Sequence, residues 1–139
     1  MRFDAWYQSE FRETLGETLS EMDAMPDSTI DGMLQGKPIP ESMRAYYRVA
    51  GRHWLNTNHN MLRMPGDWES AGDYTIFMDE NQNVVQWAIR NADLSTEDPI
   101  VYQGQQTDAG YEWYAEGYTF SRFIIAMWKW ILTGEEPDC

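Results

Sequence analysis

Apolar residues recur at helical spacing along residues 3–22. They form one stripe, which consists of Phe3, Tyr7, Phe11, Leu15, Leu19 and Met22. This spacing predicts an amphipathic helix. Acidic residues form a second stripe on a different side, at Glu10, Glu13, Glu17 and Glu21. We prefer to interpret this stripe as a solvated face; the alternative is a docking surface for a basic protein, with Glu10 and Glu17 as candidate contacts.

Two further helices are predicted before residue 52. The segment DSTIDGML, residues 27–34, is typical of a short capped helix that ends at Gly36. Residues 37–51 predict a third helix, because Pro40 suits its first position and Gly51 suits a left-handed C-terminal cap. The inward-facing residues of this helix are expected to be Met43, Tyr46, Tyr47 and Ala50. Residues 52–72 show no regular period.

The middle of the chain is rich in β-branched and aromatic residues, which predict strands. Four short strands are expected, with the sequences YTIFM, VVQWAI, IVYQ and YEWYAE. The segment GQQTDAG, residues 104–110, is predicted to be the turn between the last two. A final helix is predicted from its broad apolar face, with Thr119 as N-cap and Gly134 as its end. The order of elements predicts an α+β fold, in which a mostly antiparallel sheet of about 4–6 strands is flanked by N-terminal helices and one C-terminal helix.

The stretch FMDENQNVVQWAIR, residues 77–90, places two carboxylates and three amides between two apolar runs. These polar side chains are either a catalytic or metal-binding cluster or the tip of a hairpin. The hairpin is favoured, because Asp and Asn tolerate the positive φ angles and local hydrogen bonds of tight turns. Phe77 and Trp87 are then expected in the core, with Asp79 and Glu80 near an exposed tip.

The length of 139 residues predicts a single domain, residues 1–139. We divide it into an N-terminal helical part (1–36), a core (37–134) and an acidic tail (135–139). No apolar run is long enough to span a bilayer, and the N-terminus lacks the layout of a signal peptide. The only cysteine is Cys139, so no internal disulfide can form. We expect a soluble, cytoplasmic protein.

Charge gives the sharpest indication of a partner. The chain has 23 acidic and 10 basic residues, a net charge of -13. Such a surface repels nucleic acid phosphates and anionic lipids, so we expect neither nucleic acid nor a membrane as a partner. It would attract a basic protein. The alternative, which charge alone favours, is that acidity serves only solubility.

Motifs for catalysis are not found in the sequence. His53 and His59 lie six residues apart, without zinc-ligand spacing, and no EF-hand loop, nucleophile elbow or phosphate-binding loop is present. Asp79 and Glu80 are adjacent, so on a strand end they would point to opposite faces. We therefore expect a binding module without a metal or cofactor. A metal-assisted hydrolase that uses His53 or His59 is the catalytic alternative.

Several landmarks occur in the order found in one known family. They are Ile39-Pro40-Glu41-Ser42, Tyr46-Tyr47 with Gly51, Phe77, Glu80-Asn81-Gln82, Trp87-Ala88-Ile89, Asp98-Pro99-Ile100-Val101, Trp113, and Thr119-Phe120-Ser121-x-Phe123. In these residues the chain resembles the SUKH superfamily, in its branch like the yeast cell-wall synthesis regulator. Two departures are Ala50-Gly51, where many members have Asn-Gly, and Asn83, where similar proteins often have Gly.

The resemblance implies a function of protein binding without catalysis. Bacterial members are thought to be immunity proteins that neutralise polymorphic toxins, often nucleases, and eukaryotic relatives look like regulatory scaffolds. An acidic inhibitor suits a nuclease, whose surface must be basic to hold nucleic acid. Binding would use acidic groups with an aromatic anchor, for which Trp54 is the candidate. Packing of Trp54 over the core is the equal alternative. The partner-binding candidates are Trp54, Asp79, Glu80, Glu10 and Glu17.

Overall fold

A computed structural model describes residues 2–134 of the chain. The predicted acidic tail, residues 135–139, lies outside this range. The helices are α1 (Arg2–Leu15), α2 (Asp27–Leu34), α3 (Glu41–Ala50), α4 (Leu55–Asn58) and α5 (Phe120–Thr133). The strands are β1 (Met61–Leu62), β2 (Glu69–Ala71), β3 (Tyr74–Asp79), β4 (Val85–Arg90), β5 (Ile100–Thr107) and β6 (Gly110–Thr119). The predicted α+β fold, with N-terminal helices and one C-terminal helix, is confirmed.

The six strands form one antiparallel sheet with the order β1-β3-β4-β5-β6, and β2 also pairs with β3. Helices α1, α3 and α5 pack together on one face of this sheet. Phe77 from β3 meets Phe120 and Phe123 of α5 edge to face, and the ring centroids are 5.4 and 6.0 Å apart. Phe77 and Trp87 are both buried, as predicted.

The first helix is shorter than its apolar stripe predicted. It ends at Leu15, and Gly16 has φ +75° while its N–H bonds to the Arg12 carbonyl at 2.9 Å. A left-handed residue of this kind ends a helix, because it turns the chain away from the helical axis. Met22, which the stripe placed on the buried side, is 86% exposed. The predicted helix over residues 3–22 is therefore wrong beyond Leu15.

Helix α3 has the predicted buried face but different ends. Pro40 lies just before the helix in extended conformation, with φ -58° and ψ 142°, so it is the N-cap residue rather than the first helical one. Gly51 is right-handed, with φ -59° and ψ -22°, so the predicted left-handed cap is wrong. A Cβ on Gly51 would lie 2.5 Å from the carbonyl oxygen of Tyr47. Close packing, and not a positive φ, therefore requires glycine at this position.

The stretch between β3 and β4 is the predicted hairpin turn. The Glu80 N–H bonds to the Val85 carbonyl at 3.1 Å, and the Asn83 N–H bonds to the Glu80 carbonyl at 2.8 Å. Asn83 has φ +58°, a conformation that asparagine tolerates better than most residues. Asn60 is buried and accepts the Asn81 N–H at 3.0 Å, which fixes the turn to the chain segment before β1.

The predicted turn over residues 104–110 is wrong, because β5 and β6 continue through most of it. Thr107 pairs with Gly110, so the connection has only two residues, Asp108 and Ala109. Gly104 lies within β5 directly beneath the indole of Trp113, where an added Cβ would be 2.4 Å from the ring. The glycine therefore serves ring packing inside a strand and does not mark a turn.

The start of α5 is capped by a residue from a distant loop. Thr119 occupies the predicted N-cap position, but its side chain makes no capping hydrogen bond. The Asp98 carboxylate instead accepts the Ser121 N–H at 3.0 Å and the Ser121 hydroxyl at 2.7 Å. A carboxylate at a helix N-terminus is also favoured by the helix dipole. This contact ties the start of α5 to the loop before β5.

The other end of α5 is as predicted, because Gly134 ends the helix with φ +75°.

Candidate functional site

A cleft of about 300 Å³ opens between α5 and the inner face of the sheet. We call it the α5 cleft. Its helix side is formed by residues at i, i+3, i+4 and i+7 spacing, namely Phe123, Ala126, Met127 and Trp130. Its sheet side is formed by the residue after β3 and by residues of β4, β5 and β6, namely Glu80, Val85, Trp87, Gln103, Glu116 and Tyr118. The lining is therefore mainly aromatic and aliphatic, with two carboxylates.

An irregularity in β6 places one of these carboxylates. Ile100 pairs with Thr119 and Tyr102 pairs with Ala115, so three residues of β6, 116–118, lie opposite one residue of β5. Gly117 has φ +85° at the centre of this bulge. Bulges redirect side chains, and both neighbours of the glycine, Glu116 and Tyr118, line the α5 cleft.

The surroundings of Glu116 disfavour its charge. Gln103 donates a hydrogen bond from Nε2 to Oε1 of Glu116 at 3.3 Å, and Gln105 donates to Gln103 at 3.0 Å. Burial raises the pKa of the Glu116 carboxyl, since the charged form loses hydration. No ion pair to Glu116 is found among residues 2–134. A cation in the cleft would compensate this cost.

Glu80 forms the other end of the acidic lining. Its Oε1 accepts the Val84 N–H at 3.3 Å, so the side chain is positioned by the turn that it begins. The Asn60 amide spans the gap to the helix, donating to the Met127 sulfur at 3.0 Å while accepting from Asn81. The described lining of the cleft contains no basic residue. Both carboxylates therefore lie in a cleft without a counter-charge of its own.

One polar atom in the cleft wall lacks a partner. Trp87 is 4% exposed, and its indole N–H has no hydrogen-bond acceptor within the described chain. An unpaired buried donor costs free energy, so native proteins seldom retain one.

Asp79 is not available at the hairpin tip. Arg63 donates to it from Nε at 2.7 Å and from Nη2 at 2.8 Å, and only 22% of the Asp79 side chain is exposed. These hydrogen bonds hold the pKa of the Asp79 carboxyl below its ordinary value. Both Asp79 and Glu80 are half-buried and lie next to the exposed residues 81–84, as their predicted position near an exposed tip requires. The ion pair with Arg63 nevertheless engages Asp79 within the fold.

Trp54 is more than half exposed, at 54%, and precedes the short helix α4. Its indole stacks on His53, with ring centroids 5.6 Å apart. Stacking on buried His53 leaves both interpretations of Trp54 open, and Trp54 is not part of the α5 cleft. Its role as a partner contact stays a prediction.

The acidic stripe on the first helix does not form as predicted. Glu10 is half-buried on α1, whereas Glu17 is exposed and lies after the helix has ended. Neither residue lines the α5 cleft. The structure thus separates the five predicted contacts, and only Glu80 belongs to the cleft.

The histidines of the hydrolase alternative have different surroundings. His53 is buried beside Trp128, its Nδ1 accepts the Leu55 N–H at 3.2 Å, and burial lowers its pKa. His59 is exposed and meets Trp130 edge to face. Within residues 2–134, no three His, Cys, Asp or Glu side chains are grouped so that they could hold a metal ion.

Glu116, Gln103 and Trp130 were not among the predicted site residues. A sequence signal for Glu116 was Gly117, which directly follows the predicted strand YEWYAE. The prediction ended the strand before this glycine, whereas a glycine within a strand is a known mark of a bulge. No local sequence pattern marks Gln103 or Trp130 as a site residue. They come together in the cleft only because α5 packs across the sheet.

No protein-family model, curated protein or solved structure matches this chain. The SUKH resemblance therefore stays a prediction from the sequence landmarks. Across residues 2–134, none of the helices has both the length and the apolar character needed to cross a lipid bilayer.

Proposed function

We propose that this chain is a non-catalytic protein-binding domain that recognises a basic protein. Its biological role would be immunity, in which it binds and neutralises a polymorphic toxin domain, for example a nuclease. A cytoplasmic location belongs to the proposal, and the single cysteine in 139 residues agrees with it. The SUKH resemblance is the reason for choosing immunity among protein-binding roles.

The observation that carries the proposal is how the few basic residues are used. Arg44 pairs with Asp27 and Asp31, at 3.1 and 2.7 Å. Arg48 pairs with Asp4 and Asp27, at 2.9 and 3.1 Å.

Arg63 is a third arginine that pairs with two carboxylates: it is hydrogen-bonded to Asp79 and lies 3.7 Å from Glu69. Three arginines of a chain with a net charge of -13 are thus neutralised internally. These pairs neutralise carboxylates as well, so they leave the net charge of -13 unchanged. This net charge makes the outward field strongly negative, and the field would accelerate association with a basic partner.

The proposed contacts combine this field with two aromatic regions. Trp54 is a large exposed side chain held by its stacking on His53, and aromatic anchors dominate many interfaces. The α5 cleft adds Glu80 and Glu116 among aromatic walls. Glu10 and Glu17 would act only through the general field, because they lie elsewhere on the surface.

The proposal can be tested by capture of partners from a lysate of the source organism, at low and at high salt. A basic toxin-like protein that is recovered at low salt and lost at high salt is expected. Expression of that protein should then arrest growth, and co-expression of this chain should restore it.

Recovery of a signalling or cell-envelope protein without toxicity would contradict the immunity role. It would instead assign the regulatory scaffold role, which the resemblance also implies. If the captured protein arrests growth and co-expression of this chain does not restore it, the proposal that this chain neutralises the toxin is wrong.

A further inference from the structure

The α5 cleft has the chemistry of a site for one organic cation. Its walls carry aromatic rings from both sides, Trp87 and Tyr118 from the sheet and Phe123 and Trp130 from the helix. Aromatic faces attract cations through their quadrupole, more strongly where water is excluded. The two acidic groups of the lining, Glu80 and Glu116, add full negative charges to this apolar site.

We propose that the α5 cleft binds a single arginine side chain of the basic protein partner; this inference rests on the proposed function. The carboxylates bind the guanidinium group, and the rings of Trp130 and Trp87 pack against its plane and its aliphatic stem. Trp87 forms part of the wall of this cleft, and its buried indole N–H has no acceptor among the described residues.

Arginine fits this cleft better than lysine for three physical reasons. Its guanidinium is planar and stacks on aromatic rings, it pairs with carboxylates through two parallel hydrogen bonds, and it loses hydration at lower cost than an ammonium group. A cleft that combines aromatic rings with carboxylates uses all three properties. Lysine carries a more strongly hydrated charge and stacks less well on aromatic rings.

The position of Glu116 is costly to the protein on its own. Glu116 is desolvated by the bulge in β6 and by α5, and it receives only a weak neutral hydrogen bond from Gln103. Removal of a carboxylate from water is unfavourable unless a cation compensates it. A residue placed at such a cost is typical of a binding site, because functional sites often disfavour the unbound state.

The test uses blocked single residues as probes, so it needs no partner. N-acetyl-arginine amide is titrated into the full chain, and the indole N–H signals of Trp87 and Trp130 are followed by NMR. We expect these signals to shift with a Kd on the order of millimolar. The citrulline analogue, which is neutral and almost isosteric, should cause no saturable shift, and the blocked lysine should bind more weakly.

Three variants define the site. The double change Glu80→Gln with Glu116→Gln should weaken arginine binding at least about tenfold, because it removes both carboxylates that bind the guanidinium. A tenfold change in Kd corresponds to about 1.4 kcal/mol of binding free energy. The matched control is the double change Glu13→Gln with Glu112→Gln, which removes the same two charges at exposed positions. Ala126→Leu would fill the cleft from the helix without a change of charge, and it should also abolish binding.

Equal binding of arginine and citrulline, or a response of Trp54 in place of Trp87 and Trp130, would overturn the proposal. So would lysine binding that equals or exceeds arginine binding. The proposed function fails separately, through the capture and growth experiments. If the double variant loses the probe but binds a captured partner with unchanged affinity, the protein–protein role holds and the assignment of the cleft to that partner is wrong.

Discussion

Arg63 holds Asp79 by two hydrogen bonds, Nε to Oδ2 at 2.7 Å and Nη2 to Oδ1 at 2.8 Å. Among the residues that the structure describes, no cation holds the next residue, Glu80, in this way, and Glu80 lines the α5 cleft. Two adjacent carboxylates thus have separate tasks, because consecutive residues at the end of a strand point to different sides. Asp79 stabilises the sheet, and Glu80 is free to contribute to binding.

Asp79→Asn should lower the free energy of unfolding by about 1–3 kcal/mol, since it leaves the Arg63 guanidinium without its charged acceptor. Glu80→Gln is the matched control, and it should change stability by less than about 0.5 kcal/mol. Urea denaturation at pH 7 measures both. The difference between wild type and Asp79→Asn should shrink as pH falls below 3.8, the ordinary pKa of the group, because protonation removes the same charge. Equal stability of the two variants would contradict the division of tasks.

Glu116→Gln should make the unbound protein more stable at pH 7. The folded pKa of Glu116 is raised above its ordinary value of 4.5, so folding disfavours the charged form. The stability deficit of wild type therefore grows as pH rises through 4.5 towards the folded pKa, and it disappears at lower pH. Thermal unfolding between pH 3.5 and 7.5 measures this, with Glu112→Gln as the exposed control. A variant that is less stable than wild type at pH 7 would show that the cleft does not penalise this carboxylate.

Much of the architecture could be predicted from local patterns, because the buried positions of α3 and α5 follow helical spacing closely. The ends of the helices and strands were harder to predict. Apolar Leu19 and Met22 continue the spacing of α1 by coincidence, although Gly16 ends the helix. Gly51 was expected to supply a left-handed cap. Glycine is required there because the Tyr47 carbonyl leaves no room for a Cβ, and no local sequence pattern reveals this contact.

The candidate site was less accessible to sequence reasoning than the fold. Glu80 could be selected from its turn, whereas Glu116 reaches the cleft only through the bulge at residues 116–118. The pairing of Asp79 with Arg63 depends on contacts between segments 16 residues apart. Charge counts therefore identified an acidic protein, but they could not separate structural carboxylates from those available to a partner.

Tyr46→Phe should be strongly destabilising, although it removes only one oxygen atom. The Tyr46 hydroxyl donates to Asn56 and accepts the Trp128 indole N–H at 3.0 Å, and all three residues are buried. The variant leaves two buried polar groups unpaired, at about 1–3 kcal/mol each. Tyr114→Phe is the control, because its hydroxyl contacts Glu112 at the surface. Urea denaturation of both variants is the measurement, and a loss below about 0.5 kcal/mol for Tyr46→Phe would contradict the predicted role of this network.

Gly51→Ala and Gly32→Ala should have opposite effects on stability. The added Cβ at Gly51 would lie 2.5 Å from the Tyr47 carbonyl oxygen, so the backbone must shift at a cost of about 1–3 kcal/mol. Gly32 lies within α2 with no atom within 4 Å of an added Cβ. Alanine there should stabilise the helix by about 0.5–1 kcal/mol. The melting temperatures of the two variants, relative to wild type, test this prediction. An unchanged melting temperature for Gly51→Ala would show that the end of α3 can relax to accommodate a Cβ.

The central claim is that an acidic surface binds a basic protein and that the α5 cleft forms part of the contact. It is tested most directly by association and dissociation rates for the captured partner, measured over a range of salt concentrations. We predict an association rate that falls steeply with salt. We also predict a faster dissociation for the Glu80→Gln, Glu116→Gln variant than for the Glu13→Gln, Glu112→Gln control. An association rate that does not depend on salt, together with equal dissociation of these variants, would contradict the account.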